Sequence, residues 1–106
     1  MALRVVYMPI ALEHLRSLSA RERKTVVTSV KEQLEHEPSV PTRNRKKLRP
    51  NQLADWELRV GDFRVLYDIE PIAENDSPAF EGTVVILAVG VKRGSRLWIN
   101  NEEFEL

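Results

Sequence analysis

Cysteine is missing from all 106 residues, which excludes disulfide frameworks, thiol nucleophiles and cysteine-ligated metals. Glycine occurs only four times, and no glycine-rich loop that would cradle a phosphate is present; the HExxH metal pattern and the G-x-S-x-G elbow are missing as well. No metal or cofactor is therefore expected. Long apolar runs are also lacking. The opening segment MALRVVYMPIALEHL is interrupted by Glu13 and His14 before a signal sequence could form, and nothing approaches the roughly 18 apolar residues of a membrane span. A soluble, cytoplasmic chain with no membrane partner is expected. Neither sign of charge dominates: sixteen Lys and Arg balance sixteen Asp and Glu, which argues against both a basic nucleic-acid coat and an acidic disordered tail.

What is present suffices for one domain spanning residues 1–106, since 42% of the residues are apolar and the length is typical of a single core. The balanced charge conceals an asymmetry. Residues 1–66 carry thirteen basic and eight acidic side chains, net +5, and residues 67–106 carry three and eight, net −5. The first part suits a polyanion and the second does not.

Leu3 to Met8 is β-branched and aromatic and stops at Pro9, which reads as a strand. Leu12, Leu15 and Leu18 then form an apolar stripe on a short helix. Ser19 and Glu22 make an S-x-x-E capping box, so a second helix starts near Ala20, with Val26, Val27, Val30 and Leu34 on its apolar face and Pro38 beyond its end. So short a link predicts an antiparallel helical hairpin. Residues 38–54, with three prolines and five basic residues between Arg43 and Arg49, read as a charged loop.

In DWELRVGDFRVLYDIE, apolar and polar residues alternate around a Gly61-Asp62 turn that needs positive φ at the glycine. The implied register sets Val60 against Phe63, Leu58 against Val65 and Trp56 against Tyr67 on the core face. On the other face Arg59 lies across from Arg64 and Glu57 from Leu66. Residues 71–82 read as a long polar connection. Thr83 to Val91, apolar on both faces, reads as a central strand covered on each side or paired to a partner. The expected fold is α+β: an N-terminal strand, an antiparallel helical hairpin, then a three-stranded antiparallel sheet with a short C-terminal element.

Arg59 opposite Arg64 is the informative pair, because like charges directly across a strand pair destabilise it. Two explanations are open. Glu57, diagonal to Arg64, forms a salt-bridged ladder, or the two guanidinium groups hold an anion such as phosphate. The run Arg43, Arg45, Lys46, Lys47 and Arg49 is either solvated or docks RNA. Arg21, Lys24 and Lys31 share one helix face and could extend that surface. Trp98, near Arg93 and Arg96, is either a platform for a base or a tryptophan at the rim of the core. His14 and His36 read as solvated surface histidines.

The segment WELRVGDFRVLYDIE, followed by the buried strand and VGVKRG, resembles the RelE/ParE toxin family of bacterial toxin–antitoxin systems, and the likeness runs over nearly the whole chain. It implies a RelE-like fold and a cytoplasmic toxin neutralised by a cognate antitoxin. For the RelE branch it implies metal-independent cleavage of mRNA on the ribosome, the 2′-hydroxyl attacking phosphorus and the 5′-oxygen leaving. Arg64 matches the arginine after the hairpin turn, which stabilises phosphate, with Arg59 beside it. Lys92 or Arg93 matches the basic residue after the last long strand. Trp98 stands where RelE proper has a tyrosine, and Asp55 and Glu57 stand where it has lysines; a carboxylate such as Glu57 serves as base in some relatives. The family also contains DNA gyrase inhibitors and weakly toxic members that act as protein-interaction modules.

Overall fold

A computed structural model describes residues 2–71 and 80–105; most of the connection expected at 71–82 lies outside them. Among the described residues the order is β1 (Ala2–Tyr7), α1 (Pro9–Arg16), α2 (Ala20–Leu34), β2 (Arg45–Lys47), β3 (Trp56–Val60), β4 (Phe63–Pro71), β5 (Phe80–Arg93), β6 (Arg96–Ile99) and β7 (Glu102–Phe104). The strands form one seven-stranded sheet in the order β2-β3-β4-β5-β6-β7, with β1 joined to β5 in parallel and the other pairings antiparallel.

The three-stranded sheet expected from the sequence is thus corrected to seven strands, and the helical hairpin is not found. Each helix packs mainly on the sheet, α1 on β5 and α2 on β3 and β1. The reason lies in α1. Pro9 starts it with a preset φ and no N–H to leave unpaired, and its eight residues bury Ala11, His14 and Leu15. That single stripe is used up on the sheet. Leu12, expected inside, is exposed, as is Val27 on α2. The helices are linked instead through Arg23, whose Nε and Nη2 donate to the carbonyls of Leu15 (3.0 Å) and Leu18 (3.1 Å) at the open end of α1, where a helix has unpaired acceptors and welcomes a cation. The start of α2 is as the sequence predicts: Ser19 Oγ accepts from the Glu22 N–H and the Glu22 carboxylate accepts from the Ser19 N–H.

The expected charged loop contains strand β2. Thr42 Oγ1 accepts from the N–H groups of Asn44 and Arg45 and turns the chain, after which Arg45, Lys46 and Lys47 pair with Leu58, Glu57 and Trp56. Beyond β2, Asn51 ties its loop by accepting from Leu53 and Ala54 and donating to the carbonyls of Arg49 and Ala54.

Two apolar clusters result. Between helices and sheet lie Leu15, Val26, Val30 and Leu34 against Trp56, Leu58, Val65, Tyr67, Val84 and Ile86. On the back of the sheet, Ala54, Leu66, Ala88, Leu97 and Ile99 gather under Leu48, Leu53, Leu87 and Phe104. This second cluster explains why β5 is apolar on both faces.

Along one edge of β5, β1 pairs with Thr83 to Ile86 and β6 pairs with Val91 to Arg93. Between them β6 folds over Gly90, where a Cβ would lie 2.6 Å from the Trp98 carbonyl oxygen and 2.8 Å from Ile99 Cγ1.

The two core tyrosines differ in a measurable way. Tyr67 is fully buried and its hydroxyl donates to the Pro38 carbonyl at 2.7 Å. The Tyr7 hydroxyl is buried with no hydrogen-bond partner among the described residues, and burial pushes its pKa up to about 12. A buried polar group left unpaired costs about 1–3 kcal/mol, while a made hydrogen bond contributes about 1 kcal/mol net. Tyr7→Phe is therefore expected to raise the urea midpoint and Tyr67→Phe to lower it; shifts in the same direction would contradict this packing.

Candidate functional site

The β3–β4 hairpin has the register read from the sequence: Val60 against Phe63, Leu58 against Val65, Trp56 against Tyr67, and Arg59 against Arg64. Gly61 supplies the positive φ, +57°. Alternation then places Glu57, Arg59 and Arg64 together on the back of the sheet.

Glu57 is only 3% exposed. Its Oε2 lies 3.6 Å from Arg59 Nε and its Oε1 lies 3.7 Å from Arg64 Nε. Arg64 is largely buried, and its Nη1 donates to the carbonyls of Gly61 (2.7 Å) and Phe63 (2.9 Å). The pair of guanidinium groups open to an anion is thus corrected to a carboxylate held between two cations, the ladder that the sequence left as one of two explanations. At these separations the contacts are charge–charge attractions rather than well-formed hydrogen bonds. Arg64 Nε accordingly remains a buried donor without a hydrogen-bonded acceptor among the described residues. Lys46, exposed, is the cross-strand neighbour of Glu57. Glu57 thus has Arg59, Arg64 and Lys46 as its basic neighbours on this face.

The remaining candidates scatter. Arg45 is buried and its Nη1 donates to the Gln33 carbonyl at 2.7 Å; it anchors the end of α2 and is withdrawn as an RNA contact. Lys47 stands 5.8 Å from the centre of the Trp56 ring, on the helix side of β2. Arg21, Lys24 and Lys31 are exposed on α2, also on the helix side, so they do not extend the patch around Glu57. Arg43 and Arg49 are exposed. Lys92 and Arg93, the two candidates for the basic residue after the last long strand, occupy opposite faces of β5, as neighbours in a strand must. Lys92 lies on the back with Leu97 and Phe104, whereas Arg93 and Trp98 lie on the helix side with His14, Leu18 and Phe63. Trp98 is therefore across the sheet from Glu57.

His14, expected in solvent, is buried, and its Nδ1 accepts from the Val89 N–H at 3.2 Å. Val89 lies in the stretch of β5 between its β1 and β6 partners, and the imidazole caps this otherwise unpaired donor. Burial lowers the His14 pKa, with Glu13 pulling weakly the other way. With Nδ1 accepting from the Val89 N–H, the neutral ring carries its proton on Nε2. A signal for this was present in the sequence. Ala11, His14, Leu15 and Leu18 follow i, i+3, i+4, i+7, a better helical face than the three leucines alone.

Among the described residues, no group of three or more His, Asp or Glu is placed to share a metal ion, and no helix is long and apolar enough to cross a membrane. Neither a protein-family model nor a curated protein matches this chain.

Proposed function

We propose that this chain is the toxin component of a RelE/ParE-type toxin–antitoxin pair and cleaves ribosome-held mRNA in the cytoplasm without a metal, its antitoxin covering the back of the sheet. The observation that carries the reading is the Glu57 carboxylate seated between Arg59 and Arg64 with Lys46 beside it. Cleavage by an internal nucleophile needs a base at the 2′-hydroxyl, positive charge around the phosphorane and a proton for the leaving 5′-oxygen. Glu57 takes the first role in place of a lysine, and because it is buried beneath Arg59 it reaches the 2′-hydroxyl only when that exposed guanidinium swings out to the phosphate. Arg59, with its side chain 41% exposed, and Lys46 meet phosphate from solvent, and Arg64 holds Glu57 and the turn. The leaving oxygen takes its proton from Lys46 or from water.

Two observations favour a second reading, binding without cleavage, as in a gyrase inhibitor or an interaction module. Arg64 already spends Nη1 on the turn carbonyls, and Trp98 is on the other face of the sheet. Mapping RNA 5′ ends after expression in cells separates the two. A positioned general base contributes about 10²–10⁴-fold, so Glu57→Gln is expected to reduce cleavage at least about 100-fold at equal protein level, and Lys46→Ala to weaken ribosome association in a salt-dependent way. Absence of cuts with the parent protein defeats the nuclease; altered DNA supercoiling in that case supports the gyrase reading.

A further inference from the structure

The parting of β1 and β6 along one edge of β5 opens a crevice of about 250 Å³ on the helix side, bounded by His14, Phe63, Arg93, Trp98, Asn100 and Asn101. We propose that this crevice binds one nucleoside monophosphate, its base against Trp98 and its phosphate on Arg93.

The lining matches that ligand and discriminates against others. Trp98 is half-buried, presenting an aromatic surface of the kind on which unstacked bases sit. Asn100 and Asn101 form the β6–β7 turn with φ of +52° and +64°, a conformation asparagine tolerates better than other side chains; their carboxamides offer the paired donors and acceptors that read a base edge. His14, fixed in one tautomer by Val89, has only an N–H left at Nε2, so it donates and does not accept. Arg93 is exposed and makes no ion pair among the described residues, and a guanidinium is well suited to phosphate.

Among the described residues, no carboxylate lines the crevice. The hollow that continues from it past Leu18, Phe63, Val91 and Arg93 contains Glu22 and Asp62. A polynucleotide threaded along both would bring its next phosphate against those two carboxylates. A single nucleotide stops short of them. The site is independent of the RNA-cleavage reading, because Glu57 lies on the other side of the sheet.

The indole N–H signals of Trp98 and Trp56 in a nitrogen–proton correlation spectrum test this directly, with Trp98→Phe assigning them. Titration with AMP, GMP, CMP and UMP is expected to shift the Trp98 signal saturably for at least one nucleotide and to leave Trp56 in place. Arg93→Ala, at an exposed position, is expected to weaken that nucleotide at least about tenfold and its parent nucleoside less than about twofold. Glu57→Gln is expected to change neither. The proposal is overturned if no nucleotide produces saturation up to about 10 mM, beyond the range of specific small-ligand binding, if Arg93→Ala binds the nucleotide unchanged, or if ribose 5-phosphate shifts the signal equally.

Discussion

Gly90→Ala is expected to cost about 2–3 kcal/mol, the upper part of the range for an overpacked core position, and to lower the melting temperature by about 10–20 °C in a domain of this size. The added methyl would meet the Trp98 carbonyl at 2.6 Å, Ile99 Cγ1 at 2.8 Å and Leu97 Cδ1 at 3.2 Å. The first of these is backbone and cannot rotate away. Strand β6 would have to lift, taking with it Leu97 and Ile99 from the back cluster. Gly61→Ala is the matched control. Gly61 has positive φ but open space around its Cβ position, so its cost is backbone strain alone, about 1–2 kcal/mol. A Gly90→Ala protein melting above Gly61→Ala would mean that β6 does not cross so close to β5.

Removing the Glu57 carboxylate is expected to have a comparable effect for an electrostatic reason. In Glu57→Ala, Arg59 and Arg64 remain directly opposed and Arg64 Nε loses the only carboxylate near it among the described residues. Breaking a buried ion pair costs about 3–5 kcal/mol; with Arg59 well exposed, we expect about 2–3 kcal/mol for this variant. Arg59→Ala in the same background should return up to about 1 kcal/mol by removing the like-charge pair, whereas Arg59→Ala alone should destabilise. That change of sign, measured in a double-mutant cycle from urea unfolding, identifies the carboxylate as the bridge. Strict additivity would show that Glu57 does not couple the two arginines.

The parts of this molecule legible in its sequence are those set by neighbours along the chain. Strict alternation around Gly61 is enough to pair Trp56 with Tyr67 and to put Arg59 opposite Arg64, because a two-residue turn leaves one register. The Ser19–Glu22 box is equally local. What a one-dimensional reading missed depends on contacts across long separations. Arg45 looks like one more cation in a basic run, and only its pairing opposite Leu58 and its bond to Gln33 make it a buried anchor. Strand β2 is three residues long, too short for alternation to announce it. His14 is polar by composition and buried by position, because the gap between β1 and β6 along the edge of β5 leaves the Val89 N–H needing an acceptor. Lys92 and Arg93 are separable by parity alone, since adjacent strand residues cannot share a face, so only one of them can belong to any one site on the sheet.

The parallel joining of β1 to β5 also bears on how the chain matures. Arg4 finds its partner at Thr83 and Tyr7 at Ile86, so β1 has no sheet position until residues 83–86 have been synthesised. Such distant closure slows folding, and while it is pending the apolar side chains of residues 3–7 have no strand to lie against. A nascent chain paused before residue 83 would expose a lone, unsatisfied β segment, which makes the interval between its synthesis and its docking the moment of greatest susceptibility to self-association.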